Sequence, residues 1–154
     1  MKYYRWSVNE DINIVLINHF GAKMLLKYFL LWFPMLIIAI INGTIRVAFL
    51  KDYLGELPAH QVSVFTGIIL FGIYIMIVTR IWKIKSGAQA LLIGFMWLCL
   101  TVAFEFVGGH YLFGNSWEKL FHDYNILQGR LWILILIWVA VAPYLFYKWK
   151  SYAE

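Results

Sequence analysis

The chain has 154 residues, of which 63% are hydrophobic and 14% charged. A soluble domain is about 45–50% apolar and about 25% charged, so a water-soluble globular core is excluded and lipid must be the solvent for much of this surface. The formal net charge of +5 and the single cysteine, Cys99, narrow the reading further: one cysteine makes no internal disulfide and no CxxC redox couple, which argues against a quinone-coupled disulfide oxidoreductase.

Residues 1–27 precede the first long apolar stretch. Ser7-Val8-Asn9-Glu10 has the capping-box pattern, so a helix is expected to start near Val8. Val8, Ile12, Val15, Leu16 and His19 recur at helical spacing, and Gly21 is the expected stop. This segment reads as an interfacial helix with Lys23 and Lys27 near lipid headgroups. Ile14 and Ile17 interrupt its polar face and allow packing against a bundle instead. No small-residue cleavage pattern follows, so no cleavable signal peptide is expected.

Four stretches are long enough to cross a bilayer core, which takes roughly 17–25 residues per helix. They are about 28–50, 62–79, 88–107 and 131–147. The runs are continuous rather than alternating, so helices satisfy the backbone and a barrel does not. The fold class is therefore all-α: an integral membrane four-helix transmembrane bundle forming one domain over residues 1–154. Pro34, early in the first span, is a kink position. Gly87, Ala90 and Gly94 in the third span allow close helix approach. Cys99 in the same span reads as a small core residue.

The connections carry the topology. Lys2, Arg5, Lys23, Lys27, Arg80, Lys83, Lys85, Lys148 and Lys150 fall on one side, nine of the thirteen Lys and Arg residues. The opposite connections carry only Lys51 and Lys119, with Arg46 and Arg130 at helix ends. This bias sets both termini in the cytoplasm and makes the bilayer, not nucleic acid, the partner of the basic residues. Between the third and fourth spans, Asn115 or Ser116 caps a short helix with Glu118 in its first turn. Trp117, Leu120, Phe121 and Tyr124 share one face, which places an amphipathic helix on the outer side, over the bundle mouth.

Glu105 is the only acid inside a long apolar stretch. A carboxylate at that depth is costly unless it is paired, protonated or faces a polar cavity. In this topology Asn42, Arg46, His60, Gln61, Glu105, His110, Asp123 and Arg130 gather at the outer level and form the candidate ligand-binding set. Asn42 and Arg46 share one helix face. Arg46 and Glu105 lie at matching depth, so an Arg46–Glu105 pair fits.

Each residue also has a plain structural role. Arg46 snorkels, Asn42 bonds a neighbouring helix, His60 sits at a helix start and His110 ends a helix beside Gly108-Gly109. His122 is solvated, and Asp123 and Arg130 form a loop ion pair. His60, Glu105, His110, His122 and Asp123 offer metal-ligand atoms. They lack any HExxH or ExxH spacing, and Glu105 and His110 diverge on an ideal α-helix, so the reading assigns no metal and identifies no cofactor. No phosphate loop or nucleophile elbow is present.

Asn42-Gly43-x-x-Arg46, His60-Gln61-x-Ser63, Phe104-Glu105-Phe106 with Gly109-His110-Tyr111, Ser116-Trp117, Asp123-Tyr124-Asn125 and Gly129-Arg130-x-Trp132 together resemble an uncharacterised family of small four-helix bacterial inner-membrane proteins. The resemblance covers about two thirds of the chain and implies a multi-pass bacterial inner-membrane location without a reaction. From the residues, the leading functional expectation is binding or transport of a lipid headgroup or small anionic solute. Arg46 and Arg130 would be its anion contacts, Glu105 a counter-charge or protonatable switch, and a homodimer the assembly. The alternatives are a membrane-embedded enzyme acting on a lipid or quinone headgroup with Glu105 as acid or base, and an accessory or assembly subunit whose polar cluster only fixes packing.

Overall fold

A computed structural model describes residues 21–153. The expected interfacial helix near Val8 lies outside them. The described residues are helical with no strand. Helix α1 spans Gly21–Leu54 and α2 spans Glu56–Ile81. Helix α3 spans Gly87–Leu112, α4 is the short Trp117–His122, and α5 spans Trp132–Ala153. A 3-10 turn, Ile126–Gln128, links α4 to α5. Helices α1, α2, α3 and the Trp132–Lys150 part of α5 are long and apolar enough to cross a membrane.

Helix ends run past the apolar stretches because hydropathy does not see polar first and last turns. Gly21, the expected stop, stands inside α1. Helix α2 starts at Glu56, six residues before Val62, after Gly55 takes φ +82° and turns the chain. That left-handed φ suits a residue without Cβ. Pro58 falls in the first turn of α2, where its missing N–H is an orphan anyway. Ser86 caps α3 by accepting from Gln89 N, and Ser116, not Asn115, caps α4 by accepting from Lys119 N. Helix α1 is locally irregular at Leu31, three residues before Pro34. The Leu31 carbonyl there accepts from the Tyr74 hydroxyl at 2.6 Å.

A stretch of α1 one turn before its end, Arg46–Leu50, and the last part of α3, Phe104–Leu112, are wound as π-helix. Such i→i+5 segments are rare and recur at functional sites. Both lie at the end of the bundle that also holds Gly55 and α4, called here the lid end. The opposite end holds the connection between α2 and α3 and is called the hairpin end.

Helix α5 packs against both α3 and α2, while α1 packs mainly on α2 and touches α3 lightly. The α3–α5 seam is the tightest, since a Cβ placed on Gly94 would lie 1.9 Å from the Ala140 carbonyl oxygen. Close backbone approach of this kind replaces the hydrophobic drive that lipid removes. Around it Tyr28, Ala90, Trp97, Val139 and Ala142 are fully buried. Tyr28 donates to the Trp82 carbonyl at 2.6 Å, and Trp97 Nε1 donates to the Tyr28 carbonyl at 2.7 Å. Cys99 corrects an expectation: it is exposed on α3, because the helix turns Trp97, not its neighbour two residues on, inward against Tyr28 of α1.

Candidate functional site

The weak α1–α3 contact leaves a cavity of about 230 Å³ at the lid end. Its body is apolar, with Trp32, Met35, Leu36, Ala39, Ile40, Phe71 and Phe104 among its walls. Its head is polar, where Arg46, His60, Glu105, Asn115, Asp123 and Trp132 converge. Leu120 of α4 and Phe113 close it from the lid side. Toward the middle of the bundle Trp32 Nε1 donates to Thr101 Oγ1 at 3.1 Å, and the Trp32 ring meets Phe104 edge-on at 6.1 Å. That contact is where α1 and α3 come together again.

Glu105 is held by neutral donors. Its Oε2 accepts from the Tyr124 hydroxyl at 2.5 Å and from Trp132 Nε1 at 2.7 Å. Its Oε1 makes no hydrogen bond to a described residue. The expected Arg46–Glu105 pair does not form, since no ion pair joins the two among the described residues. The reason is the lid: it folds Tyr124 back from the α4–α5 connection and α5 brings Trp132 to the same oxygen. Burial first, and then the bond to Glu105, hold the Tyr124 hydroxyl above the usual tyrosine range. Tyr124 therefore serves as a donor over any physiological pH.

His60 is 1% exposed. Arg46 Nη1 lies 3.2 Å from its Nδ1, and the Leu131 backbone N–H points at its Nε2 at 3.2 Å. The ring thus lies between α1 and the start of α5. Arg46 makes no ion pair with a described acid.

Arg130 differs in kind. It is engaged twice, by Glu56 at 2.7 Å and by Asp123 at 3.3 Å, and Glu56 also meets Lys51 at 3.4 Å. This chain of charges ties the lid to the α1–α2 connection. Arg130 is therefore neutralised within the protein and does not face the cavity. Arg130 straps the lid to the start of α2.

Three other candidates are structural. Asn42 Nδ2 donates to the Ser63 carbonyl at 2.8 Å and to Ser63 Oγ at 3.1 Å, joining α1 to α2. Gln61 Nε2 donates to the Gly129 carbonyl at 3.1 Å and anchors the 3-10 turn. The π winding brings residues five apart nearer one face than an α-helix does, yet His110 stays outside the cavity. Its Nδ1 lies 2.9 Å from the Asn115 carbonyl, and its ring stacks on Trp117 at 4.2 Å. His122 is exposed. Of the eight candidates, Arg46, His60, Glu105 and Asp123 line one cavity.

Sequence reasoning missed Tyr124 and Trp132 as partners of Glu105, and Glu56 as the second partner of Arg130. Hydropathy counts Trp and Tyr as anchors or core, and their donor groups carry no periodic signal. Among the described residues no three His, Cys, Asp or Glu side chains are grouped to hold a metal ion. No family model, curated protein or solved structure matches the chain.

Proposed function

We propose that this protein is a bacterial inner-membrane module with both termini cytoplasmic, and that it binds the head and first tail segment of an amphiphile at the level of the outer leaflet. The carrying observation is one cavity with an apolar body and a polar head. A small water-soluble solute has no use for walls of Trp32, Met35 and Phe71. A cavity of ~150 Å³ accepts a benzene ring, so about 230 Å³ holds a single-ring or single-phosphate head with a short length of chain, not a whole lipid. Ile40 and Phe113 line the cavity and are 46% and 62% exposed, which supports entry from the lipid side between α1 and the lid. A homodimer remains the assembly expected of a transporter built from four helices.

A second reading keeps the same pocket and makes it catalytic. The unpartnered Oε1 of Glu105 favours it, because an acid or base needs one oxygen free to meet the substrate proton. The packing-only reading is the weakest of the three, since Arg46 and Glu105 do not neutralise each other.

The test is native mass spectrometry of the gently purified full chain, with an ultraviolet–visible spectrum of the same sample. The expected result is a retained amphiphile, lost when Ala39→Phe fills the cavity body in a variant of unchanged melting temperature. A bare chain in every preparation, including after incubation with short-chain lipids, counts against the pocket reading.

A further inference from the structure

We infer that the head of the cavity is a seat for an anionic oxygen, phosphate or carboxylate, held between the Arg46 guanidinium and Nδ1–H of His60. The inference rests on the amphiphile-pocket reading and names the chemistry of its head. A neutral imidazole carries one lone pair and one N–H. At His60 two donors face the two ring nitrogens: Arg46 Nη1 at 3.2 Å and the Leu131 N–H at 3.2 Å. The ring can accept only one of them. The backbone N–H of Leu131 is fixed by the start of α5 and takes the Nε2 lone pair. That leaves Nδ1 protonated, facing an arginine that also only donates. A ring that is 1% exposed and short of one acceptor is completed by an oxygen that accepts from both.

Charge decides that this oxygen is anionic. The two arginines at this end are not equivalent. Arg130 is covered by Glu56 at 2.7 Å and Asp123 at 3.3 Å, while Arg46 meets no described acid. Glu105 turns one oxygen to Tyr124 and Trp132 instead, and Asp123 is occupied by Arg130. A half-buried guanidinium at the head of an apolar-walled cavity gains from a counter-charge, and a ligand oxyanion supplies it. The free Oε1 of Glu105 then accepts from a protonated hydroxyl of the same head, as a singly ionised phosphate monoester offers.

The experiment is isothermal titration calorimetry on the full chain in nanodiscs, with octyl phosphate, octanol and inorganic phosphate as probes. The expected result is octyl phosphate binding tighter than octanol by about tenfold or more, the scale of one hydrogen bond to a charged group. Arg46→Gln removes that difference, while Arg46→Lys keeps most of it. Equal binding of octyl phosphate and octanol overturns the anion seat and leaves the pocket standing. A phosphate preference that survives Arg46→Gln places the seat elsewhere and overturns the assignment. Inorganic phosphate binding as tightly as octyl phosphate supports the seat and removes the lipid reading. Binding of none of the three probes overturns both the seat and the pocket. The comparison of probes on the wild-type chain needs no variant to fold.

Discussion

The two halves of the bundle are built on opposite plans from similar helices. In the hairpin half the helices approach until backbone nearly touches backbone, and Tyr28, Tyr74 and Trp97 each donate to a main-chain carbonyl. In the lid half α1 and α3 part, both widen into π-helix near their ends, and the polar side chains meet around a cavity. One half is closed by main-chain contact, the other by side chains reaching across a gap. The difference teaches how each half responds to change: a packed seam tolerates no added atom, whereas a gap spanned by hydrogen bonds loses them one at a time.

The sharpest way to break this contrast is to add the same methyl group to both halves. Gly94→Ala drives a Cβ to within 1.9 Å of the Ala140 carbonyl oxygen, and thermal unfolding should show a loss of about 3 kcal/mol, the upper range for overpacking. Gly43→Ala meets nothing within 4 Å and should be neutral or stabilising by about 0.5–1 kcal/mol. Equal effects at the two positions would mean that the α3–α5 seam is not the tight one.

A middle-sized effect is expected at the Glu105 cradle. Tyr124→Phe removes one of its two donors and should cost about 1–2 kcal/mol, with Trp132→Phe similar and the two non-additive because they share one oxygen. The pH dependence has a definite sign. The folded chain raises Tyr124 above its unfolded value, so the folded state holds the proton more tightly. That contribution is present below about pH 10 and fades as pH rises from there toward the folded value. The difference in melting temperature between wild type and Tyr124→Phe should therefore shrink above about pH 10. A difference that grows there would refute the cradle.

The smallest effect belongs to the strap. Glu56 is 59% exposed, and exposed ion pairs contribute about 0–1 kcal/mol. Arg130→Gln should lower stability by no more than about 1 kcal/mol, and less in high salt. A loss as large as that of Gly94→Ala would mean the strap holds the bundle together rather than the lid alone.

Much of the architecture was legible before any coordinates. Continuous apolar length marked the four helices, small residues at Gly87, Ala90 and Gly94 marked a close seam, and Ser116 with the Trp117, Leu120 and Phe121 face marked the lid helix. The isolated acid Glu105 lies at the end that holds the cavity. Charge alone then suggested the wrong partners. Opposite signs at equal depth favoured Arg46 with Glu105, but depth fixes only one coordinate. Azimuth and the fold of the lid decide the rest, and they bring Tyr124 and Trp132 to Glu105.

The sequence by itself determined that the chain is a set of four apolar helices with a polar cluster toward one end, because hydropathy and helical period are properties of composition and order along one dimension. Only the tertiary structure decided that Glu105 rests on Tyr124 and Trp132, that Arg130 is spent on Glu56 and Asp123, and that Arg46 is left beside a buried histidine at the head of a cavity. Those outcomes depend on which side chains four different helices and a lid bring within about 3 Å of one another, the range of a hydrogen bond. Partners that share no sequence spacing leave no trace of that meeting in the order of the residues.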